Sequence, residues 1–199
     1  MRRAAKVLPV KDLKTLYSAL ILPYLNYGLL AWGGSCKTET NYATLDHDGQ
    51  MTNHMKYLSN VHKLQKCAIR IVSKSSCRSH HIPLCYDLSL LDLGDLYNIK
   101  ALSFFHDFFH NILPPAFLNA FTLLFSRNNQ IMIKTKYRRT DIAASTIIHT
   151  LPGIWNPLDS NLKQYISKSK STFIRECKNH FLSTYKNWSC STLNCFVCK

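Results

Sequence analysis

Apolar residues recur at helical spacing along most of the chain, and the first such run starts near Asp12. Its positions at helical spacing are Leu13, Leu16, Tyr17, Leu20, Tyr24 and Gly28, and Pro23 is placed to kink or divide the helix. This run predicts a helical hairpin that contributes to a core. Residues 34–57 then lose the periodicity and collect Asn, Thr, Asp and His, which predicts a long exposed loop or insertion.

Two further amphipathic helices are predicted in the middle of the chain. The helix over 60–74 has an apolar face made of Val61, Leu64, Ala68, Ile71 and Val72. The most regular run follows Asp92, a plausible N-cap, and keeps an apolar, Phe-rich face for five turns up to Ile112. A continuous aromatic stripe at this spacing favours packed core over a surface for base stacking.

The composition changes beyond Ser126. Asn, Lys and Arg dominate residues 127–139, and residues 142–150 are rich in β-branched side chains, which together predict a small hairpin. A helical pattern returns after Trp155. The expected fold class is therefore mainly α: a helical bundle over 1–126 with the irregular insertion near 34–57, followed by a small α+β unit over 127–188 with a short β-hairpin and a Cys-containing tail over 189–199.

The charge balance indicates a polyanionic partner. The 199 residues contain 25 Lys+Arg against 11 Asp+Glu, a formal net charge of +14 that attracts phosphates through counterion release. Cations recur along one side of the predicted helix over 60–74, at Lys63, Lys66, Arg70 and Lys74. These residues are the candidate phosphate contacts, and the alternative interpretation is a solvated surface face.

The cysteines and the apolar N-terminal segment bear on the cellular compartment. Eight irregularly spaced cysteines without a recognisable secretory signal favour reduced thiols, and hence a cytoplasmic or nuclear protein. The uncharged residues 15–32 follow a basic start and resemble a signal anchor. However, Pro23, Asn26 and Gly28 dilute their apolarity, so a buried core helix is preferred to a membrane span.

The sequence contains no recognisable catalytic motif, which predicts that the chain is not an enzyme on its own and needs no cofactor. A polymerase needs paired carboxylates for two metal ions, but the chain has no Asp-Asp pair, and Asp46 and Asp48 lie in the irregular loop. His106 and His110 have the i, i+4 spacing of zinc ligands without the glutamate of HExxH. Their preferred interpretation is two surface histidines on the polar side of a helix.

The C-terminal cysteines leave two alternatives open. Cys190, Cys195 and Cys198 form C-x4-C-x2-C, with Cys177 and His180 upstream, so a Cys3His zinc site that grips single-stranded nucleic acid is stereochemically possible. The other interpretation, which we prefer, is a frayed tail with unpaired thiols and no metal.

Several strings, in order along residues 13–185, resemble the region that follows the polymerase palm in reverse transcriptases of Jockey and CR1 types of non-LTR (LINE) retrotransposons. The matching positions are Leu16-Tyr17, Pro23, Tyr27-Gly28, Trp32, Leu64-Gln65, Ala68, Arg70, Pro83, Leu88, Leu91, Leu96, Tyr97, Leu113-Pro114, Phe117, Phe121, Trp155-Asn156, Leu158, Ser171, Phe173 and Lys178. The resemblance implies a helical thumb and a small C-terminal extension, with the catalytic palm absent.

In that family the thumb is expected to hold an RNA template or an RNA/DNA hybrid through phosphate contacts that carry little sequence information. The resemblance thus implies a noncatalytic fragment of a transposable element's RNA-directed DNA polymerase, with Lys63, Lys66 and Arg70 as leading contacts. The chain departs from the family at Pro152-Gly153, which inverts its Gly-Pro. The alternatives are a basic helical module that binds protein partners, and a small protein anchored in a membrane by residues 15–32.

Overall fold

A computed structural model describes residues 1–35, 53–125, 130–137, 140, 143 and 145–188. These residues are mainly helical, with one short antiparallel hairpin, so the predicted fold class is confirmed. They fall into two compact units. Unit 1 contains residues 1–27, 53–93 and 180–188, and unit 2 contains 28–35 and the described part of 94–179. This division cuts the chain at positions other than the predicted boundary between 126 and 127.

The N-terminal helical run of unit 1 is interrupted just before Pro23. A short 3-10 turn (Ala4–Lys6) precedes α1 (Val10–Leu16), a π-helical turn covers Tyr17–Ile21, and α2 follows at Leu22–Asn26. The Leu22 N–H bonds to the Tyr17 carbonyl, five residues back. Proline lacks an N–H and cannot continue the regular ladder, and the wider π turn accommodates this loss.

The π turn also changes which side chains are buried. Leu13, Tyr17 and Leu25 are buried, whereas Leu20 and Tyr24, predicted on the same apolar face, are 56% and 80% exposed. The extra residue of the π turn shifts the helical phase by one position, which a straight-helix pattern does not anticipate.

Across the described residues, no helix combines the length and apolarity that a bilayer span requires.

The central helix α4 extends over Asn53–Val72, and α5 follows at His81–Leu88. Among residues 60–72 of α4, whose side chains the structure describes, the buried positions lie at helical spacing, and they are His62, Gln65, Ala68, Ile69 and Val72. The prediction of Leu64 on the apolar face is wrong, because this side chain is 71% exposed. The buried face is rotated relative to the predicted one, since it includes two polar residues that a hydrophobic pattern leaves out.

Helix α4 ends earlier than predicted and does not include Lys74. The Ser75 N–H bonds to the Arg70 carbonyl and the Lys74 N–H to the Ile71 carbonyl, the two bonds of a Schellman C-cap. Lys74 takes the left-handed position of this motif, with φ 54°, where glycine is usual. The same motif closes α5 at Ser89 (φ 51°) and α6 at Asn111 (φ 55°).

Replacing Lys74 by glycine is expected to raise the free energy of unfolding by about 1 kcal/mol, because a side chain in the left-handed region costs roughly that amount. Urea unfolding followed by far-UV circular dichroism measures the change. Lys74→Ala is the control, since it removes the same charge but keeps a Cβ. Equal stabilities of the two variants would contradict the argument from backbone strain.

Unit 2 contains a short helix, α3 (Leu29–Trp32), which a 3-10 turn (Gly33–Ser35) follows. Gly28 precedes α3 in the left-handed conformation (φ 59°). The long helix α6 is Leu93–Phe109 and begins directly after Asp92, as predicted. The later helices are α7 (Ile147–Trp155), α8 (Ser160–Gln164) and α9 (Lys170–Lys186), of which α9 belongs to unit 2 only up to residue 179. Unit 2 also contains 3-10 turns at Pro115–Phe117 and Tyr165–Ser167. Its largest fully buried side chains include Phe105, Trp155 and Phe173.

The predicted hairpin is present in a different place. Strands β1 (Leu123–Phe125) and β2 (Ile131–Ile133) pair antiparallel, with Leu124 opposite Met132. The prediction of a strand within 142–150 is wrong, because residues from Ile147 onward form α7. Leu151 and Trp155 are buried on one side of that helix, and burial at helical spacing outweighs the β propensity of Ile and Thr.

Candidate functional site

Helix α4 presents cations beside and beyond its buried face. Lys63 is exposed and Lys66 and Arg70 are half-buried; these three residues are called the basic face of α4 below. The sequence contains no Asp or Glu from residue 49 to residue 86, so no nearby carboxylate in the sequence offsets their charge. Arg2 adds a fourth cation, because its Nη2 lies 3.7 Å from the Cys67 Sγ on the same helix.

Two of the predicted contact residues, Arg70 and Lys74, take part in the segment that follows α4 in unit 1. The Arg70 Nε donates a hydrogen bond of 2.7 Å to the Ser79 carbonyl and so ties the segment after α4 to the helix. Lys74 lies beyond the helix end and is exposed. The structure therefore places Lys63, Lys66 and Arg70 on one helix and Lys74 in its C-cap.

A buried polar cluster lies at the buried face of α4. The cluster consists of three side chains that are at most 8% exposed: His62 from α4, His81 from α5 and Asp92, which precedes α6. The Asp92 Oδ1 lies 2.6 Å from the His62 Nε2 and 3.2 Å from the His81 Nε2. We call these three residues the His–Asp–His cluster. Sequence reasoning missed both of its histidines.

The Asp92 carboxyl is ionised in this cluster. Burial alone would raise its pKa, but hydrogen bonds and the positive potential from His62 and His81 lower it well below the usual range. The Asp92 backbone N–H donates to the Tyr185 hydroxyl at 3.1 Å. The residue is thus held through both its side chain and its main chain.

Gln65, one turn after His62, extends this polar layer. Its Nε2 donates to the Leu91 carbonyl at 2.9 Å and to the Tyr17 hydroxyl at 3.2 Å. Burial is the main reason that the pKa of Tyr17 is raised to about 12. His62, Gln65 and their partners therefore fix the rotation of α4, which determines where its basic face points.

The interpretation of His106 and His110 as two surface histidines is wrong for His106, which is 3% exposed. The His106 Nε2 donates to the Lys168 carbonyl at 3.0 Å, and the His110 Nε2 donates to the Ile166 carbonyl at 2.8 Å. Because a carbonyl only accepts, both Nε2 atoms carry protons. These histidines hold the turn after α8 against α6, and in this state neither Nε2 can bind a metal.

The predicted zinc ligands of the tail lie mostly outside the described residues, as do Asp46 and Asp48. Cys190, Cys195 and Cys198 belong to this group. His180 is half-buried on α9. Cys177 is fully buried, and burial is the main reason that the pKa of its thiol is raised to about 12. A protonated, buried thiol is unsuited to zinc, which binds the thiolate.

Cys177 and Cys85 are expected to resist alkylation in the folded protein, while Cys77 reacts. Cys77 is exposed, whereas Cys85 and Cys177 are both 0% exposed, and only an accessible thiolate is nucleophilic. Brief treatment with iodoacetamide at pH 8, followed by peptide mass spectrometry, gives the labelled fraction at each site. The same treatment in urea is the control, and labelling of Cys177 as fast as Cys77 without urea would contradict its burial.

The comparisons with known proteins give no family for the chain: no protein-family model matches it, and neither a curated protein nor a solved structure does.

Proposed function

We propose that the chain binds nucleic acid without sequence preference through the basic face of α4, without a catalytic centre of its own. The observation that carries this proposal is the run of cations on α4 inside a stretch of 38 residues, 49–86, without a carboxylate. Such a surface attracts a phosphate backbone. The ligand class that we propose is an RNA template or an RNA/DNA hybrid, as held by the thumb of the retrotransposon reverse transcriptases that the sequence resembles.

The side chains of the basic face suit phosphate contact. Lys63 is exposed on α4. The buried face of this helix is held in place by the hydrogen bonds of His62 and Gln65. A rigid support lowers the entropy lost when a helix binds a polyanion. Contacts of this kind position a protein on the backbone and read no bases, which agrees with sequence-independent binding.

Replacing Lys63 and Lys66 by glutamine is expected to weaken binding to an RNA/DNA hybrid at least about tenfold near 0.1 M salt and to reduce the salt slope by about 2. Fluorescence anisotropy with a labelled hybrid between 50 and 200 mM NaCl measures both quantities. Arg70 is left intact because its Nε holds Ser79.

The matched control replaces Lys168 and Lys178 by glutamine, two exposed lysines of unit 2. Both double variants have the same net charge, so a purely global charge effect would weaken binding equally. Equal affinities for the two variants, or a wild-type affinity that is independent of salt, would rule out the basic face of α4 as the contact surface.

Binding to a protein partner is the second candidate function, and exposed apolar side chains of unit 1 favour it. Leu20, Tyr24 and Leu64 are 56%, 80% and 71% exposed, and this candidate function requires that they form one contiguous apolar surface. Under this alternative, Leu64→Ser is expected to abolish binding of the protein partner. The wild-type protein is then expected to have no affinity for the RNA/DNA hybrid.

A further inference from the structure

We propose that the His–Asp–His cluster is a binding site for a divalent transition metal, with zinc as the best match. His62, His81 and Asp92 each offer one ligand atom, and these three atoms lie within 4.8 Å of one another. They come from α4, from α5 and from the residue before α6, so one ion would join three separate segments of unit 1.

The two separations that involve the Asp92 Oδ1 are close to those of a tetrahedral zinc site. Zinc bonds of ~2.0 Å to imidazole and carboxylate place neighbouring ligand atoms roughly 3.3 Å apart. The His81 Nε2 and the Asp92 Oδ1 are already 3.2 Å apart, whereas the His62 Nε2 and the Asp92 Oδ1, at 2.6 Å, must separate by a few tenths of an ångström. The two histidine nitrogens lie within 4.8 Å of one another and would have to reach a similar separation around the ion.

The donor set selects the class of metal. Two imidazole nitrogens and one carboxylate suit zinc and similar transition metals, while magnesium and calcium prefer oxygen ligands. Each histidine would present its Nε2 lone pair to the ion and keep its ring proton on Nδ1.

Three protein ligands leave a fourth position, which we assign to water. The Gln65 Oε1 is a buried acceptor without a hydrogen-bond partner among the described residues, and the amide of Gln65 is held beside Leu91, next to Asp92. A water molecule on the ion is the kind of donor that such an oxygen needs. The ion would therefore complete the polar layer that fixes the rotation of α4.

The test uses the full chain with Cys190, Cys195 and Cys198 replaced by serine, beside the wild type, so that thiolate ligands of the tail cannot account for binding. After treatment with EDTA, each protein is dialysed against Zn²⁺ or Co²⁺, and the bound metal is counted by mass spectrometry. We expect one equivalent in the serine variant, with visible bands of tetrahedral Co²⁺ and no sulfur-to-cobalt charge transfer. Zinc at a hundredfold excess over its Kd should raise Tm by roughly 5 to 10 °C.

In the same serine background, His81→Gln and Asp92→Asn are expected to lose the bound equivalent and the rise in Tm, whereas His80→Gln, at the neighbouring position, keeps both. Circular dichroism in EDTA checks that each variant is folded. If a variant unfolds, the Co²⁺ spectrum of the serine variant decides, because a histidine and carboxylate site shows the visible bands without charge transfer. No bound metal in the serine variant, or retention of metal by folded His81→Gln, would overturn the proposal and leave the nucleic-acid proposal unaffected.

Discussion

Trp155→Ala is expected to lower the free energy of unfolding of unit 2 by about 3 to 5 kcal/mol, the usual range for removing a buried tryptophan. The Trp155 side chain is 0% exposed, and its ring centroid lies 4.7 Å from that of Phe105 and 6.4 Å from that of Phe173. The indole Nε1 also donates a 2.8 Å hydrogen bond to the Ile131 carbonyl on β2. The substitution therefore removes core volume and a bond to the hairpin together.

Urea unfolding followed by far-UV circular dichroism measures this loss. Trp155→Phe separates the two contributions, because it keeps an aromatic ring and removes the N–H donor, and its expected cost is about 1 to 2 kcal/mol. Trp188→Ala is the matched control, since Trp188 is only half-buried near the end of the described chain. A loss below about 1 kcal/mol for Trp155→Ala would show that the residue is not the centre of this packing.

The neighbouring Asn156 explains why Trp and Asn occur together at this point of the sequence. The Asn156 Oδ1 accepts from the Ile133 N–H at 2.9 Å, and its Nδ2 donates to the Ile133 carbonyl at 3.0 Å. The side-chain amide thus acts like a further strand at the free edge of β2. In the sequence this pair enters only as part of a family resemblance, whereas its physical role depends on a hairpin 22 or more residues earlier.

Regular periodicity predicted the helices well, and it failed where polar residues belong to the core. The start of α6 after Asp92 follows from the pattern, because apolar positions recur without a break. On α4 the buried set includes His62 and Gln65, which are counted as surface residues by any apolar pattern. Their burial depends on Asp92, Leu91 and Tyr17, and no local window of sequence contains these partners.

The candidate sites were predicted unevenly for the same reason. Lys63 can be identified from charge and spacing alone, since both are local properties of one helix. The His–Asp–His cluster joins residues 30 and 11 positions apart, and each of its residues is unremarkable in its own sequence context. Asp92 drew attention as an N-cap, a role that concerns the backbone of α6 and says nothing of two histidines on other helices.

Asp92→Ala is expected to destabilise unit 1 by about 3 to 5 kcal/mol, because breaking a buried charged pair leaves polar partners without compensation. His62 and His81 would remain buried with no carboxylate between them. Urea unfolding measured by circular dichroism in EDTA gives the loss for the metal-free protein. The result therefore concerns the hydrogen-bonded cluster and does not depend on whether zinc binds.

Asp87→Ala is the matched control, because Asp87 is an exposed carboxylate on α5, and its expected effect is within about 0.5 kcal/mol. Asp92→Asn keeps an acceptor oxygen and should cost less than Asp92→Ala. A double-mutant cycle with His62→Ala isolates the pair, for which we expect a coupling of about 1 to 3 kcal/mol. A coupling near zero would mean that Asp92 acts only at the start of α6, and the rotation of the basic face of α4 would then need another explanation.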